Sequence, residues 1–158
     1  MYRFRPVECV DEGLLYIWRS DPDTIATSVA RAPVTPESHR DWMNIGFADP
    51  RIHRILYTQD FDGLGTYSSC GQITVMRWGA AIQAAFMVAP AWRRKGVGTA
   101  MMRAFHQLVK GPKVAQVRPD NIPSMKILLA CGFTVCSHEE LLQEFGFPAH
   151  QDLTALRM

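Results

Sequence analysis

The sequence predicts an α+β fold, with strands gathered into a sheet and helices packed on it. Three observations predict it. Two β-rich runs, residues 70–78 and 80–88, are separated by the single turn residue Gly79. The second run enters a loop with three consecutive cations and two glycines, Arg93-Arg94-Lys95-Gly96-Val97-Gly98, and the strongest amphipathic pattern of the chain runs on from Val97 to Lys110. A chain of 158 residues, 47% hydrophobic and 20% charged, is long enough for one core and has ordinary globular composition. A single domain over residues 1–158 is therefore expected, with no repeat, low-complexity segment or linker.

Residues 2–10 read as a first strand, placed at an edge by Pro6. Residues 12–19 form a short helix that buries Leu14, Leu15 and Trp18, and Ser20-Asp21-Pro22-Asp23 interrupts it. Asp21 or Asp23 can cap the next segment, a weakly patterned stretch to Ala32. Thr35 is an N-cap, Pro36 a first helical residue and Glu37 a first-turn acid, so a helix runs to about Phe47, before Asp49-Pro50. Residues 51–59 read as a strand and Asp60-Phe61-Asp62-Gly63-Leu64-Gly65 as a turn. The helix from Val97 has Val97, Met101, Ala104, Phe105 and Leu108 on one face, Arg103, Gln107 and Lys110 on the other, and Gly111-Pro112 at its end. Residues 114–117 read as a buried strand, 123–131 as a helix opened by Pro123 and closed by Gly132, and 133–136 and 153–157 as the last strands. Glu139 to Phe145 between those strands looks helical, and is expected to cover the acceptor site or a dimer surface.

A formal charge of +2 does not indicate a bulk nucleic-acid or membrane-surface protein. The four cysteines, Cys9, Cys70, Cys131 and Cys136, show no Cys-x-x-Cys pair and no zinc spacing, and read as reduced thiols of a cytoplasmic protein with no metal. The first residues carry no signal-peptide core, and no apolar run approaches the length of a membrane span.

The positive charge that matters is local. A strand, a tight basic loop and a helix start direct backbone N–H groups and the positive end of a helix dipole at one place, and glycine lets a ligand come close. That arrangement suits a pyrophosphate. It is not a dinucleotide fingerprint, which needs a third glycine where Met101 stands, nor a P-loop, which needs Gly-Lys-Ser/Thr. Arg93-Arg94-Lys95-Gly96-Val97-Gly98, preceded by Val88-Ala89-Pro90, resembles the Arg-x-x-Gly-x-Gly acyl-CoA loop of the GNAT superfamily of N-acetyltransferases. Asn121-Ile122-Pro123-Ser124, with Gly132-Phe133 after it, is similar to a second motif of that family.

The resemblance implies a mixed, mostly antiparallel sheet with a V-shaped splay, flanked by helices, and acetyl-CoA as co-substrate. It implies a cofactor site at Met87, Val88, Arg93, Arg94, Lys95, Gly96, Val97, Gly98, Thr99, Asn121 and Ser124, with the Met87 and Val88 backbone polarising the thioester carbonyl. Two positions depart from the family. Its usual Tyr acid slot holds Leu128 and its usual Glu slot holds Gln83, so neither catalytic role carries over. Tyr57, Tyr67, His53 and Cys131 stand as replacements, each with packing or display as its simpler role.

Near the N-terminus, Trp18-Arg19-Ser20 and His39-Arg40-Asp41-Trp42 resemble a layout of relatives that act on nucleotide-linked amino sugars, polyamines or ribosomal N-termini. Arg19 or His39 would meet an acceptor phosphate or hydroxyl; the simpler reading makes Trp18 and Trp42 core and leaves His39 and Arg40 in solvent. Asp21, Asp23, Glu37 and Asp41 would form an acidic pocket for a polyamine. The expected function is acetyl transfer from acetyl-CoA to a small primary amine, an amino sugar first. A polyamine, a protein N-terminus, or CoA binding without turnover are the alternatives. A homodimer is compatible with the sequence; nucleic acid and membrane partners are not expected.

Overall fold

A computed structural model describes residues 1–60 and 64–158. The turn expected over residues 60–65 falls largely on 61–63, outside the described residues. Seven strands form one sheet in the order β1-β2-β3-β4-β5-β7-β6. They are β1 (Tyr2–Pro6), β2 (Ile52–Asp60), β3 (Tyr67–Trp78), β4 (Ala81–Val88), β5 (Lys113–Val117), β6 (Thr134–Cys136) and β7 (Thr154–Arg157). The helices are α1 (Glu12–Arg19), α2 (Pro22–Thr27), α3 (Pro36–Ala48), α4 (Val97–Leu108), α5 (Ile122–Ala130) and α6 (His138–Phe145). This is the mixed, mostly antiparallel sheet flanked by helices that the sequence led one to expect.

Every strand pair is antiparallel except β4 with β5. That pair is in register only at Ile82↔Lys113 and Gln83↔Val114, after which the two strands part. The sheet thus opens into a V between the C-terminal half of β4 and that of β5.

Strand alternation sorts the side chains onto two faces. Tyr57, Ile73, Ala84, Ala115 and Leu156 pack with Met101, Met102, Phe105 and Leu128 of α4 and α5. On the other face, Leu56 and Ala89 pack with Leu15, Trp18 and Met43 of α1 and α3. Farther along that face Leu141 of α6 meets Ala81, Val114 and Ala155. Removing such a side chain from water contributes about 1.5–3 kcal/mol each. β4 therefore shows alternate residues to the two helical layers.

Local sequence explains most boundaries. Thr35 accepts from Ser38 N–H and Pro36 occupies the first turn of α3. Asp21 accepts from Thr24 N–H and makes 22–27 a defined helix, where hydropathy had shown little pattern. Gly79 turns the β3–β4 hairpin with φ 53°.

Several expectations need correction. β3 begins at Tyr67, earlier than the apolar run. Leu108 is 64% exposed because α4 ends there, while Met102 is buried. Leu14 is only partly buried beside Leu15 and Trp18. On α3 the expected pattern is inverted: His39 is 2% exposed and Trp42 39%. The buried face is His39, Met43 and Gly46, at i, i+4 and i+7. Gly46 is there because the buried Arg54 of β2 lies against it; a Cβ would stand 1.4 Å from Arg54 Nη1. The guanidinium donates to the Trp42 and Met43 carbonyls and stacks 3.6 Å from the Trp42 ring centroid.

Candidate active site

The V opens into a cavity of about 1320 Å³. Its walls come from β4, β5, the 90–99 loop and helix start, α5, and the α1–α3 layer. Met87, Val88, Arg93, Arg94, Gly96, Val97, Gly98, Thr99, Asn121 and Ser124 all line it. Lys95 does not; its ammonium lies 5.5 Å from the Trp92 ring centroid.

One end is built from backbone. Ala89 donates its N–H to the Cys70 carbonyl at 2.9 Å. By strand alternation Met87 also turns toward β3, and Val88 turns its N–H into the splay. The two positions expected to act together are thus split, with Val88 facing the open side. Beyond it, Arg94 and Gly96 both have positive φ, 58° and 76°, which brings the loop sharply into α4. Side chains cap α2, α3, α5 and α6, but none caps α4. Its first intrahelical bond, Ala100 N–H to the Gly96 carbonyl, leaves the first-turn N–H groups open to an anion. Gly98 has a different role from the one its spacing suggests. A Cβ there would meet Ile127 Cδ1 at 2.7 Å and Val88 Cγ2 at 3.2 Å, so this glycine lets α4 approach β4 and α5.

Arg93 does not face outward toward a ligand. It pairs with Asp21 at 2.6 Å and Asp23 at 3.3 Å, and donates to Thr24 Oγ1 at 2.6 Å and to the Val88 carbonyl at 3.4 Å. One guanidinium thus clasps α2 to the end of β4. Burial works against the Asp21 carboxylate, but the Arg93 and Thr24 hydrogen bonds outweigh it and hold the pKa below its ordinary value. Asn121 accepts from Ser124 N–H as the α5 cap and donates to the Thr27 carbonyl at 3.2 Å, a second tie to α2.

The four expected acids do not gather into one pocket: Asp21 and Asp23 share the single guanidinium of Arg93, and Glu37 and Asp41 are exposed outside the cavity lining. Gln83 lies outside the lining and accepts from Trp78 Nε1 at 3.1 Å. Leu128 lines the cavity but is fully buried core. Tyr57, Tyr67, His53 and Cys131 are all absent from the lining, so none is placed to replace the acid. Tyr57 packs with Tyr2 and Phe4, Tyr67 lies under Arg3, and Cys131 contacts the Thr99 carbonyl. Burial pushes the Tyr57 and Cys131 pKa values up. Nor does α6 reach this cavity; it lies over β4, β5 and β7, outside the lining.

Of three polar groups of the lining, the sequence points to Arg19 and His39 and misses Gln116. Arg19 Nη1, His39 Nε2 and Gln116 Nε2 are buried and have no hydrogen-bond partner. Burial lowers the pKa of Arg19 and of His39. For His39 the simpler reading, with Trp42 as core and His39 in solvent, is the one the structure reverses.

A splayed sheet with an exposed strand N–H, an uncapped glycine-led helix start and an adjoining cavity is an arrangement suited to a phosphate-bearing thioester. The family model described as acetyltransferase (GNAT) domain matches residues 2–134. The chain belongs to this family, and is an N-acetyltransferase with acetyl-CoA as co-substrate. A domain from Methanocaldococcus jannaschii is similar over 100% of this chain and 97% of its own, at 14% identity and TM-score 0.79. Spermidine N-acetyltransferase from Vibrio cholerae, solved with CoA and spermine, is similar over 99% and 93%, at 16% identity and TM-score 0.72. An aminoglycoside acetyltransferase solved with coenzyme A is similar over 100% and 94%, at 13% identity and TM-score 0.75. At these identities the likeness is one of fold. No curated protein sequence matches this chain. Among the described residues no helix is long and apolar enough to cross a membrane.

Proposed function

We propose that this acetyltransferase acetylates the primary amine of an amino sugar, with a nucleotide-linked one as leading acceptor. The observation that carries the reading is the charge of the cavity wall. Arg19, Arg93, Arg94, Arg118 and Lys126 line it against two carboxylates, Asp21 and Asp23, which share Arg93 as their counter-ion. A polyamine or aminoglycoside is itself cationic and meets a wall with more cations than carboxylates. A phosphate-bearing amine meets the buried, unpartnered Arg19 Nη1.

The open N–H groups of Val97 to Thr99 and the Arg94 side chain would hold the pyrophosphate of acetyl-CoA, and Asn121 and Ser124 flank its pantetheine arm. Acetyl-CoA supplies an activated acyl group whose leaving thiol is already acidic. The Val88 N–H would polarise the thioester carbonyl from the splay. Thiol release from acetyl-CoA tests the reading across glucosamine, glucosamine 1-phosphate, nucleoside-diphosphate amino sugars, spermidine and a peptide with a free N-terminus. The phosphate-bearing sugars should give the highest kcat/KM, and Arg19→Gln should lose that preference. Fastest turnover of spermidine would overturn the acceptor assignment.

A further inference from the structure

We propose that His39 is the base of the reaction, its Nε2 accepting the proton of the amine as that amine attacks the thioester. The proposal rests on acetyl transfer in this cavity, not on which amine is the acceptor.

Its ground is position. His39 is 2% exposed and lines the cavity, and Nε2 has no hydrogen-bond partner. A buried, unpaired ring nitrogen costs stability unless a ligand completes it. The ring is held between Tyr16 and Trp42, with centroids at 5.6 and 5.4 Å, and Trp42 is itself fixed by Arg54. Met43, one helical turn on, packs in the cluster that holds Met87 and Ala89. His39 and Val88 line the same cavity.

Elimination points the same way. Among the described lining residues, Asp21 pairs with Arg93 at 2.6 Å, and Asp23, 3.3 Å from the same guanidinium, turns an 86% exposed side chain to solvent. Gln72, Thr74 and Gln116 have no basic site, and the Arg and Lys side chains are already protonated. The charged groups around the imidazole are Glu12 and Arg19 of α1 and Arg54 of β2. Burial lowers its pKa most; the Glu12 backbone and carboxylate pull it up, and Arg54 and Arg19 lower it again. The net fall leaves the imidazole neutral at pH 7, with a lone pair free on Nε2 when Nδ1 holds its proton.

In the step, the amine lone pair forms the C–N bond to the thioester carbonyl carbon. The amine proton passes to Nε2, giving an imidazolium. The C–S bond breaks, and the departing thiolate takes a proton from the imidazolium or from water, restoring neutral His39. An ammonium that enters the site first gives one proton to solvent.

His39→Gln keeps a polar side chain and removes the base. Using the amine that gives highest turnover in the acceptor panel, kcat/KM should fall about a hundredfold at pH 7. The loss should shrink toward the amine's own pKa, and CoA affinity by calorimetry should hold. The acid limb of the wild-type profile, which falls below His39's lowered pKa, should vanish in the variant. His39→Ala should regain activity with added imidazole. A His39→Gln enzyme within threefold of wild type across the pH range overturns the proposal, as does a loss that is equal at every pH. Nitrogen-15 NMR of the wild-type protein decides independently of acceptor and variants. Nε2 should be unprotonated at pH 7 and the ring should titrate below the ordinary histidine value of about 6.5; an Nε2–H tautomer or an imidazolium at pH 7 overturns it. If no amine in the panel is turned over, the acceptor reading fails while the NMR result still stands or falls alone.

Discussion

The two ends of the cavity are built on different principles. The β4–α4 end relies on backbone: a splay that strands Val88, two turns of positive φ at Arg94 and Gly96, and a helix start without a side-chain cap. The α1–α3 end relies on side chains that meet across long stretches of sequence. Arg54 sits against Gly46 and Trp42, and Arg93 clasps Asp21 and Asp23. Backbone devices need particular residues at fixed local spacing and so leave a motif. Long-range side-chain pairs leave none.

The largest expected effect tests the side-chain end. Gly46→Ala puts a Cβ where the Arg54 guanidinium lies, only 1.4 Å from Nη1. Displacing a buried cation from its carbonyl and aromatic partners should cost about 3–5 kcal/mol in urea denaturation. An unchanged midpoint would show that Arg54 does not anchor α3.

Next comes Gly98→Val, at the backbone end. The new side chain meets Ile127 and Val88, and overpacking should cost about 1–3 kcal/mol. CoA affinity, read by calorimetry on the folded fraction, should fall with it because the helix start moves. Lost stability with unchanged affinity would separate the glycine's packing role from any role in binding.

Asp21→Asn should cost less, about 0.2–1 kcal/mol at pH 7, because it keeps an N-cap and loses an ion pair that is partly exposed. The sign with pH comes from the depressed Asp21 pKa. Its contribution is present above the unfolded value of about 3.9 and is lost as pH falls through the folded one. The wild-type and variant stabilities should therefore converge in acid. A constant gap from pH 7 to pH 2 would remove the Arg93 pair from the explanation.

An effect of similar size sharpens the line between the two ends at Asn121. Asn121→Asp keeps the acceptor for Ser124 N–H and loses the donor to the Thr27 carbonyl. A change of about 0.5–1 kcal/mol is expected, with faster amide exchange in α2. Unaltered exchange there would make Asn121 a cap and nothing more.

The same contrast explains how much could be read from the residues. The hairpin around Gly79, the helix after the basic loop, the α3 start at Thr35-Pro36 and the α5 stop at Gly132 all arise from local chemistry, and the structure has them. Within the site, the glycine loop and Asn121-x-x-Ser124 point to residues that do line one cavity. The acceptor end was not legible. Trp42 reads as core, yet it is partly exposed because Arg54 needs a flat ring to lie on. Asp21 and Asp23 read as free acid, yet their counter-ion stands some seventy positions away at Arg93. His39 reads as solvent-facing, and only the packing of α1 against α3 encloses it.

β4 has a further consequence through its alternation. Met87 and Ala89 belong to the α1–α3 cluster, Phe86 and Val88 to the α4–α5 cluster. One strand is therefore a partition wall with a tenant on each side. Substitutions in α1 and α3 can reshape their side of the cavity while the opposite face keeps its packing against α4.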